Sequence, residues 1–335
     1  MQHEPRDWVL GAGRLGIQLG WSLHHQQGLP VSIWHRTPLS AEKESWLAGI
    51  EHVVGPLPLN ALVRARMVLL TVSDSAIGEL AQKLADTLPQ PPENPPHFFH
   101  CSGALSVEAL APLALKGYPT GGFHPLQSFS GAPSPTKFVG TFFALEGHLD
   151  AVAHGQALAH ALGGFTGTLR PGKRLYYHAA AVLASNLLVA LEALAVEVMA
   201  EATGPELDAA QRLKMLLPLV EGTVANLRSQ GIPAALTGPV SRGDVQVVAQ
   251  QWQALQKLED AANQTSLSSA SERLDSAQAP AQRSVSEVYR LLSREAVTLA
   301  RARGIPAEQA DSLDLALGKP VKSFDKAHPG VINEE

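Results

Sequence analysis

Three side chains that suit proton transfer follow one another along a predicted helix in the C-terminal half of the chain. His178 lies near the start of that helix, Ser185 follows seven residues later, and Asn186 is its neighbour. Because seven residues make nearly two helical turns, His178 and Ser185 share one face. An imidazole with a hydroxyl and an amide beside it can donate a proton to a carbonyl or imine and orient it. The same side chains can instead hydrogen-bond neighbouring helices, and their spacing leaves both interpretations open.

A glycine-rich turn near the N-terminus is the element that would hold a cofactor for such chemistry. It follows the apolar stretch Asp7–Leu10 and leads into a segment with helical apolar spacing. In the Gly-x-Gly-x-x-Gly fingerprint the first glycine permits a tight turn, the second lets the backbone approach a pyrophosphate, and the third lets the helix pack closely on the strand. Free backbone N–H groups and the helix dipole then face the phosphates. The predicted cofactor-binding residues of this turn are Gly11, Ala12, Gly13, Arg14, Leu15 and Gly16.

The end of the second predicted strand, Val31–Trp34, favours one dinucleotide over the other. Proteins that bind NAD carry an acidic residue at this place, which grips the ribose hydroxyls. This chain has His35, Arg36 and Thr37 instead. Arg36 can stack on adenine or pair with a 2′-phosphate, and Thr37 and His35 can add hydrogen bonds. The sequence therefore favours NADP(H) over NAD(H), with a solvated arginine beside a turn as the alternative.

Polar residues at later strand ends extend the predicted site. Val72 and Ser73 follow an apolar run typical of a parallel strand, so we expect them to line the cofactor crevice. Asp74 can line the same crevice or cap the next helix. Ser102 and His124 lie in turns rich in small residues, Gly and Pro. There they can contact the nicotinamide amide or the substrate, or can simply hold the turns.

A loop late in the chain offers a site for a carboxylate. It contains Thr237, Arg242 and Asp244. Arg242 can bind a substrate carboxylate while Asp244 fixes the guanidinium. The arginine and the aspartate can equally form an ion pair that joins two helices.

The composition of the whole chain narrows the function classes. The 335 residues are 45% apolar and 17% charged, and the formal net charge of −5 gives no overall attraction to nucleic acid or to an anionic membrane. Cys101 is the single cysteine, so an internal disulfide and a multi-cysteine metal site are excluded, and we expect no metal. The first residues lack the apolar core of a signal peptide, which predicts a cytoplasmic protein. Small molecules are the expected ligands.

One apolar run, residues 179–200, approaches the length that spans a membrane. Asn186, Glu192 and Glu197 interrupt it and would be costly at bilayer depth. The run therefore predicts a buried helix of a soluble all-α domain.

The spacing of apolar residues predicts an α/β half followed by a helical half. We place the first domain at residues 1–148, the second at 149–318, and a loosely held tail at 319–335. Within the helical half, residues 263–284 are rich in Ser, Ala and Gln and predict a mobile connection between helices. The last clear helix is predicted over 286–302, followed by a turn and a shorter helix.

Several short sequence motifs in a fixed order give the chain a resemblance to a known family. Besides the glycine turn they are His100-Cys101-Ser102-Gly103, Gly122-Phe123-His124-Pro125-Leu126-Gln127, Ala144-Leu145-Glu146-Gly147, Tyr177-His178-Ala179-Ala180-Ala181, Ser185-Asn186 and Leu236-Thr237-Gly238-Pro239-Val240-Ser241-Arg242-Gly243-Asp244. In these motifs the chain resembles an uncharacterised bacterial family of Rossmann-like proteins with a C-terminal domain of unknown function. That family is similar to the 6-phosphogluconate dehydrogenase, ketopantoate reductase and pyrroline-5-carboxylate reductase group.

The resemblance implies a fold, a partner and a site. The fold is an N-terminal NADP-binding Rossmann domain with a doubly wound parallel sheet, followed by an all-α domain of the 6-phosphogluconate dehydrogenase C-terminal-like type. That second domain would pair two subunits, and the active site would lie in the cleft between the domains. Lys173 becomes a second candidate for the proton donor, since the related dehydrogenases use a lysine near the start of this helix. Their asparagine one turn later is replaced here by Tyr177, and a family histidine seven residues after Arg-Gly-Asp is replaced by Gln251.

These patterns together predict a dimeric, NADPH-dependent oxidoreductase that reduces a small ketone or imine, such as a 2-oxo acid. Its proton donor would be His178 or Lys173, and Ser185 and Asn186 would orient the carbonyl. The alternative from a different class is a non-catalytic NADP(H)-binding sensor or regulatory protein. A deazaflavin-dependent reductase shares the glycine turn and is a third hypothesis.

Overall fold

The computed structural model describes residues 6–270 and 284–318 of the chain. The chain divides into two compact units after Leu188. The first unit contains a sheet with its covering helices, and the second is helical. The fold class predicted from the sequence is thereby confirmed.

The first unit is built on one sheet of eight strands. They are β1 (Asp7–Leu10), β2 (Val31–His35), β3 (Glu51–Val54), β4 (Met67–Leu70), β5 (His97–His100), β6 (Thr120–Pro125), β7 (Phe142–Gly147) and β8 (Phe165–Thr168). Their order is β3-β2-β1-β4-β5-β6-β7-β8. All neighbours pair in parallel except β6 and β7, which pair antiparallel. The strand order reverses between β1 and β4, which is where ligands bind in sheets of this kind.

Helices cover both faces of this sheet. The helices of the first unit are α1 (Arg14–His25), α2 (Ala41–Trp46), α3 (Leu59–Leu62), α4 (Asp74–Thr87), α5 (Ala111–Leu115), α6 (Leu149–Ala161) and α7 (Arg174–Ala184). On one face, Val9 of β1 packs in a core with residues of α1 and α6. On the other face, Trp8 and Leu10 pack in a core with residues of α4 and α5. Successive residues of one strand thus enter different cores, as the period of two requires.

The sheet extends further along the chain than the sequence pattern indicated. The predicted helical half does not begin at Leu149, because α6 and β8 belong to the sheet unit and β8 pairs with β7. The β8 strand reads Phe-Thr-Gly-Thr, so it is short and carries a single large apolar residue. It lacks the apolar run or the alternation that predicts a strand.

The second unit takes its core from its last four helices. The helices that follow α7 are α8 (Asn186–Thr203), α9 (Ala209–Gln230), α10 (Gly238–Arg242), α11 (Val245–Ala270), α12 (Val285–Ala302) and α13 (Ala307–Ala316). Val240, Val248, Val297 and Leu313 represent α10 to α13 in one buried cluster. The predicted late helix and the shorter helix after it correspond to α12 and α13.

The connection predicted over residues 263–284 is wrong in its first part. The α11 helix continues to Ala270, and the remainder up to residue 283 lies outside the described residues, as does the predicted tail. Asn263 to Ala270 include Ala, Gln and Leu, which are compatible with a helix. A Ser-rich composition alone therefore did not end this helix.

The prediction that the apolar run over 179–200 is a buried helix is also wrong for the single chain. None of the side chains of α8 or α9 is buried. By length and composition alone, Arg174–Thr203 is the one stretch of the described residues that could cross a membrane. Ten large apolar side chains of α8 and α9 are exposed, namely Leu187, Leu188, Val189, Leu191, Leu213, Met215, Leu217, Leu219, Val224 and Leu227. A surface of this kind marks a site of interaction.

Candidate functional site

The glycine turn has the geometry that its sequence pattern predicts. Gly11 has a φ of 123°, and a Cβ there would lie 2.9 Å from the backbone carbon of Thr71. A Cβ on Gly16 would lie 1.9 Å from the carbonyl oxygen of Gly11, so the helix can approach the strand only without a side chain. A Cβ on Gly13 would meet only the Thr71 carbonyl oxygen, at 3.8 Å. Without that Cβ, Gly13 leaves room for a ligand against the backbone.

A cavity of about 550 Å³ lies beside this turn. It is formed at the carboxyl ends of β1, β2 and β4, which are adjacent in the sheet. Of the predicted cofactor-binding residues, it is lined by Gly11, Ala12, Gly13, His35, Arg36, Thr37, Val72 and Ser73. Arg14, Leu15, Gly16 and Ser102 are not among its lining residues. Most of the predicted residues are thus brought to one cavity.

The end of β2 presents a basic, hydroxyl-rich rim to the cavity. Arg36 and Thr37 are exposed and line it, and Ser40 and Lys43 line it too. Ser40 caps α2, accepting a hydrogen bond from the backbone N–H of Lys43. Ser40 and Lys43 were not predicted from the sequence. The signal for them was a serine three residues before a lysine at the start of a helix.

His35 is engaged elsewhere. Its Nδ1 lies 2.8 Å from the carbonyl oxygen of Thr37, and its Nε2 lies 3.1 Å from Nδ1 of His52. Both ring nitrogens therefore have partners within the protein. Holding the Arg36 turn is the role that these contacts support.

The residues after β4 begin a helix directly. Ser73 is the N-cap residue of α4, and Asp74 is its first helical residue and is exposed. Asp74 is therefore not itself the cap. As an acidic residue in the first turn, it interacts favourably with the positive end of the helix dipole.

A second group of polar residues lies further across the same sheet. His100, Gly122 and Glu146 occupy one row, since His100 pairs with Gly122 and Gly122 pairs with Glu146. Residues paired in this way point to the same face. Because Gly122 has no side chain, the side chains of His100 and Glu146 can approach each other over it. His100 Nε2 lies 3.9 Å from Glu146 Oε1.

Arg174, the first residue of α7, lies over this row. Its guanidinium is 2.9 Å from Glu146 Oε1 and donates a hydrogen bond to the carbonyl oxygen of Ser102. A Cβ on Gly122 would lie 3.2 Å from the guanidinium. The arginine is buried. It therefore ties the start of α7 to the ends of β5 and β7.

Two imidazoles lie against Gly103, just after β5, and Tyr177 contacts one of them. The hydroxyl of Tyr177 lies 2.7 Å from Nδ1 of His124. A Cβ on Gly103 would lie 2.6 Å from Nδ1 of His178 and 2.8 Å from Nε2 of His124. Both imidazoles thus direct a nitrogen toward one point that only glycine leaves free. The structure brings together His124 and His178, which the sequence had placed in separate binding and catalytic roles.

Burial shifts the pKa values of His100, His124 and Tyr177. Burial, with the nearby charge of Arg174, lowers the pKa of His100 to about 3. The same two causes, with His178, lower the pKa of His124 to about 4. Burial raises the pKa of Tyr177 to about 12. His100, His124 and Tyr177 are therefore neutral at pH 7.

Ser102 and Cys101 have structural contacts in the adjoining turn. The Ser102 hydroxyl oxygen accepts hydrogen bonds from the backbone N–H groups of Ala104 and Leu105, at 3.1 and 3.0 Å. Cys101 is buried in the core, and burial raises its pKa to about 12. The cysteine is thus a protonated core residue.

The remaining predicted catalytic residues stand apart from this cluster. The α7 helix ends at Ala184, so Ser185 breaks the helix that would have continued the face of His178. Ser185 and Asn186 are both exposed. The Lys173 ammonium lies 5.3 Å from the centre of the exposed Tyr176 ring. Of the two proton-donor candidates, only His178 lies against Gly103.

The predicted carboxylate site belongs to the second unit. Arg242 donates to Asp244 Oδ2 at 2.9 Å, and 63% of the arginine side chain is exposed. Thr237 is the N-cap residue of α10, and the ion pair links the end of α10 to the start of α11. Gln251 accepts a hydrogen bond from the Tyr289 hydroxyl. Substrate binding by Thr237, Arg242 and Asp244 stays a prediction.

Sequence reasoning missed His100, Glu146, Arg174 and Tyr177 as members of one site. The motifs that carry the family resemblance include His100, Glu146 and Tyr177, but no local spacing in the sequence relates these three residues. No group of three or more His, Cys, Asp or Glu residues that could hold a metal occurs in the described part of the chain.

The comparisons with known proteins agree with this fold. Residues 141–296 match the family model described as a domain of unknown function, DUF2520. The resemblance inferred from the sequence is thereby confirmed. No curated protein matches the chain.

Solved structures have the same architecture. A protein from Thermotoga maritima is 21% identical with a TM-score of 0.62, covering 89% of this chain and 99% of its own. A protein from Bacteroides fragilis, provisionally assigned as an NADP oxidoreductase, is 23% identical with a TM-score of 0.61, covering 88% and 98%. A pyrroline-5-carboxylate reductase from Coxiella burnetii is 13% identical with a TM-score of 0.50, covering 91% and 100%. At these identities the likeness is one of fold.

Proposed function

We propose that this protein is an NADP(H)-dependent oxidoreductase that reduces a small ketone or imine, such as a 2-oxo acid. The observation that carries the proposal is the cavity at the switch point of the sheet, with Gly13 open to it and a basic rim at the end of β2. Two structurally similar proteins, one provisionally assigned as an NADP oxidoreductase and one a pyrroline-5-carboxylate reductase, agree with it.

The cavity residues fit a dinucleotide that carries a 2′-phosphate. The open backbone at Gly13 and the N-terminus of α1 suit a pyrophosphate. Arg36 and Lys43 suit the extra phosphate, with hydroxyls from Thr37 and Ser40. NADPH, when bound, supplies the hydride for a reduction.

The cluster around Gly103 fits the proton chemistry of the same reaction. His178 is the proposed proton donor, since it is the candidate donor that lies against this glycine. His124 is the proposed hydrogen-bond partner of the substrate oxygen or nitrogen. Arg174 and Glu146 hold the start of α7, and so place His178 one turn later on that helix.

We also propose that the protein is a homodimer formed through α8 and α9. Ten large apolar side chains on these helices are exposed in the single chain. Glu192 and Glu197 lie on α8, and a charged residue within a membrane span is costly. A second copy of the protein accounts for both facts better than a lipid bilayer does, and a soluble, cytoplasmic dimer is the state we expect.

The first test is calorimetric titration of the purified protein with NADPH and with NADH. We expect NADPH to bind at least tenfold more tightly, which corresponds to about 1.4 kcal/mol. Arg36→Ala and Lys43→Ala should each reduce that preference. Arg64→Ala removes an arginine that is also exposed but does not line the cavity, so it should leave both affinities unchanged.

Three outcomes separate the hypotheses. If NADPH binds with the expected preference, a screen of 2-oxo acids and cyclic imines follows. Tight NADPH binding, with no turnover in that screen and no effect of His178→Ala on any assay, would favour the sensor hypothesis. If neither nucleotide binds, the oxidoreductase proposal fails.

A further inference from the structure

In the contact between Tyr177 and His124, the relative acidities of the two groups determine which one donates the hydrogen bond. Both side chains are neutral at pH 7 and their polar atoms lie 2.7 Å apart. A phenol is a stronger acid than the N–H of a neutral imidazole, and an imidazole nitrogen is a much stronger base than a phenol oxygen. Tyr177 therefore donates its proton to Nδ1 of His124. The proton of His124 must then reside on Nε2.

The Nε2 atom of His124 faces the same point as an unpartnered nitrogen. Nδ1 of His178 is buried and has no hydrogen-bond partner in the structure. His178 Nδ1 lies 2.6 Å from the position that a Cβ of Gly103 would take, and His124 Nε2 lies 2.8 Å from that same Cβ position. The two ring centroids are 6.5 Å apart, which is too far for a direct hydrogen bond between the imidazoles. The N–H of His124 therefore lies beside the space that Gly103 leaves open, and not on His178.

We propose that Tyr177 is a positioning residue that fixes His124 as its Nε2–H tautomer, so that His124 presents an N–H donor beside Gly103. The catalytic role of this arrangement rests on the proposed function. The order of groups is Tyr177 hydroxyl, His124 imidazole, and then the space beside Gly103. His124 would therefore donate its Nε2 proton in a hydrogen bond to the substrate oxygen or nitrogen.

The arrangement also explains why the residue between the two rings is a glycine. Any side chain on residue 103 would meet both imidazole nitrogens at less than 3 Å. Arg174 fixes the start of α7 three residues before Tyr177, so both ring partners are set from one anchored turn. The tautomer of His124 is then determined by the hydrogen bond that its Nδ1 accepts.

The test is ¹⁵N NMR of the full-length protein labelled at histidine, which distinguishes the two tautomers by the shifts of each ring nitrogen. We expect His124 to be the Nε2–H tautomer at pH 7. In Tyr177→Phe, His124 should lose its fixed tautomer and become a mixture. Tyr176→Phe is the matched control, because Tyr176 is the exposed neighbour on the same helix and should change neither ring.

A His124 found as the Nδ1–H tautomer in the wild type would overturn the inference, whatever Tyr177→Phe does. An unchanged His124 spectrum in a folded Tyr177→Phe protein would overturn it too. The wild-type measurement needs no variant, so a Tyr177→Phe protein that does not fold still leaves a decisive result. Since the signal comes from the protein alone, failure to bind NADPH would reject the proposed function without altering this outcome.

Discussion

The guanidinium of Arg174 lies 2.9 Å from the carboxylate of Glu146, with 5% and 20% of the two side chains exposed. The pair joins a helix to a strand that precedes it by more than two dozen residues. Removal of one member of a buried pair is costly because it strands the other charge. The pair therefore holds the start of α7 against the end of β7.

Arg174→Met should lower the free energy of unfolding by about 2–3 kcal/mol, since Glu146 keeps some exposure to water. Adding Glu146→Gln to that variant should recover much of the loss. Urea denaturation at pH 7 measures both. Arg242→Met breaks an ion pair whose arginine is 63% exposed, and should cost less than about 0.5 kcal/mol. Equal losses for the Arg174 and Arg242 variants would contradict the role given to the buried pair.

Stability should fall as the pH is lowered from about 6.5 to 4. His100 and His124 have pKa values lowered to about 3 and about 4 in the folded protein. In this window the unfolded chain binds protons on these histidines while the folded protein does not, so protonation favours unfolding. Above pH 6.5 the two histidines contribute no pH dependence. His124 alone should account for about 3 kcal/mol across the window.

Denaturation curves at several pH values test this dependence. His124→Asn and His100→Asn should each flatten the fall in stability between pH 6.5 and 4. His160→Asn, which removes an exposed histidine, should leave the slope as it is in the wild type. If all three variants keep the wild-type slope, the loss at low pH comes from other groups.

The glycines of the N-terminal turn should separate folding from binding. Gly13→Ala places a methyl group where the nearest atom is 3.8 Å away, so we expect a stability change within about 1 kcal/mol. The same methyl should obstruct a dinucleotide and weaken NADPH binding tenfold or more. Gly16→Ala should destabilise the protein by about 3 kcal/mol or more, because its Cβ would lie 1.9 Å from a backbone oxygen. Calorimetry with NADPH and urea denaturation read the two effects. A Gly13→Ala protein with unchanged NADPH affinity would argue against a dinucleotide in this cavity.

The sequence predicted the glycine turn and the basic end of β2 because both are local patterns. Gly11, Gly13 and Gly16 lie within six residues, and their spacing determines their geometry directly. Neighbouring elements then bring the predicted Arg36, Thr37, Val72 and Ser73 to the same cavity. The residues at the edge of that cavity were harder to predict from the sequence, since the positions of Ser40 and Lys43 depend on where α2 begins.

The second group of polar residues was not predictable in the same way. His100, Gly122 and Glu146 share a row only because of the register of three strands, and a shift of one residue would send them to opposite faces. Arg174 reaches that row from a helix far along the chain. Ser185, in contrast, was expected to share a helix face with His178, but the break after Ala184 depends on backbone geometry that helical spacing does not reveal.

The exposed helices lead to the last prediction. The sequence indicated a buried helix over residues 179–200, and burial by a second copy would reconcile that pattern with the exposed side chains of the single chain. Leu219 on α9 is 70% exposed, and Leu219→Glu should place a charge in the proposed interface. Sedimentation equilibrium without detergent should give a dimer for the wild type and a monomer for Leu219→Glu. Leu115→Glu, on α5 of the first unit with 89% of the leucine exposed, is the matched control and should remain dimeric. A wild-type protein that is monomeric at micromolar concentration, or that stays in solution only with detergent, would reject the homodimer and direct attention to another partner for these helices.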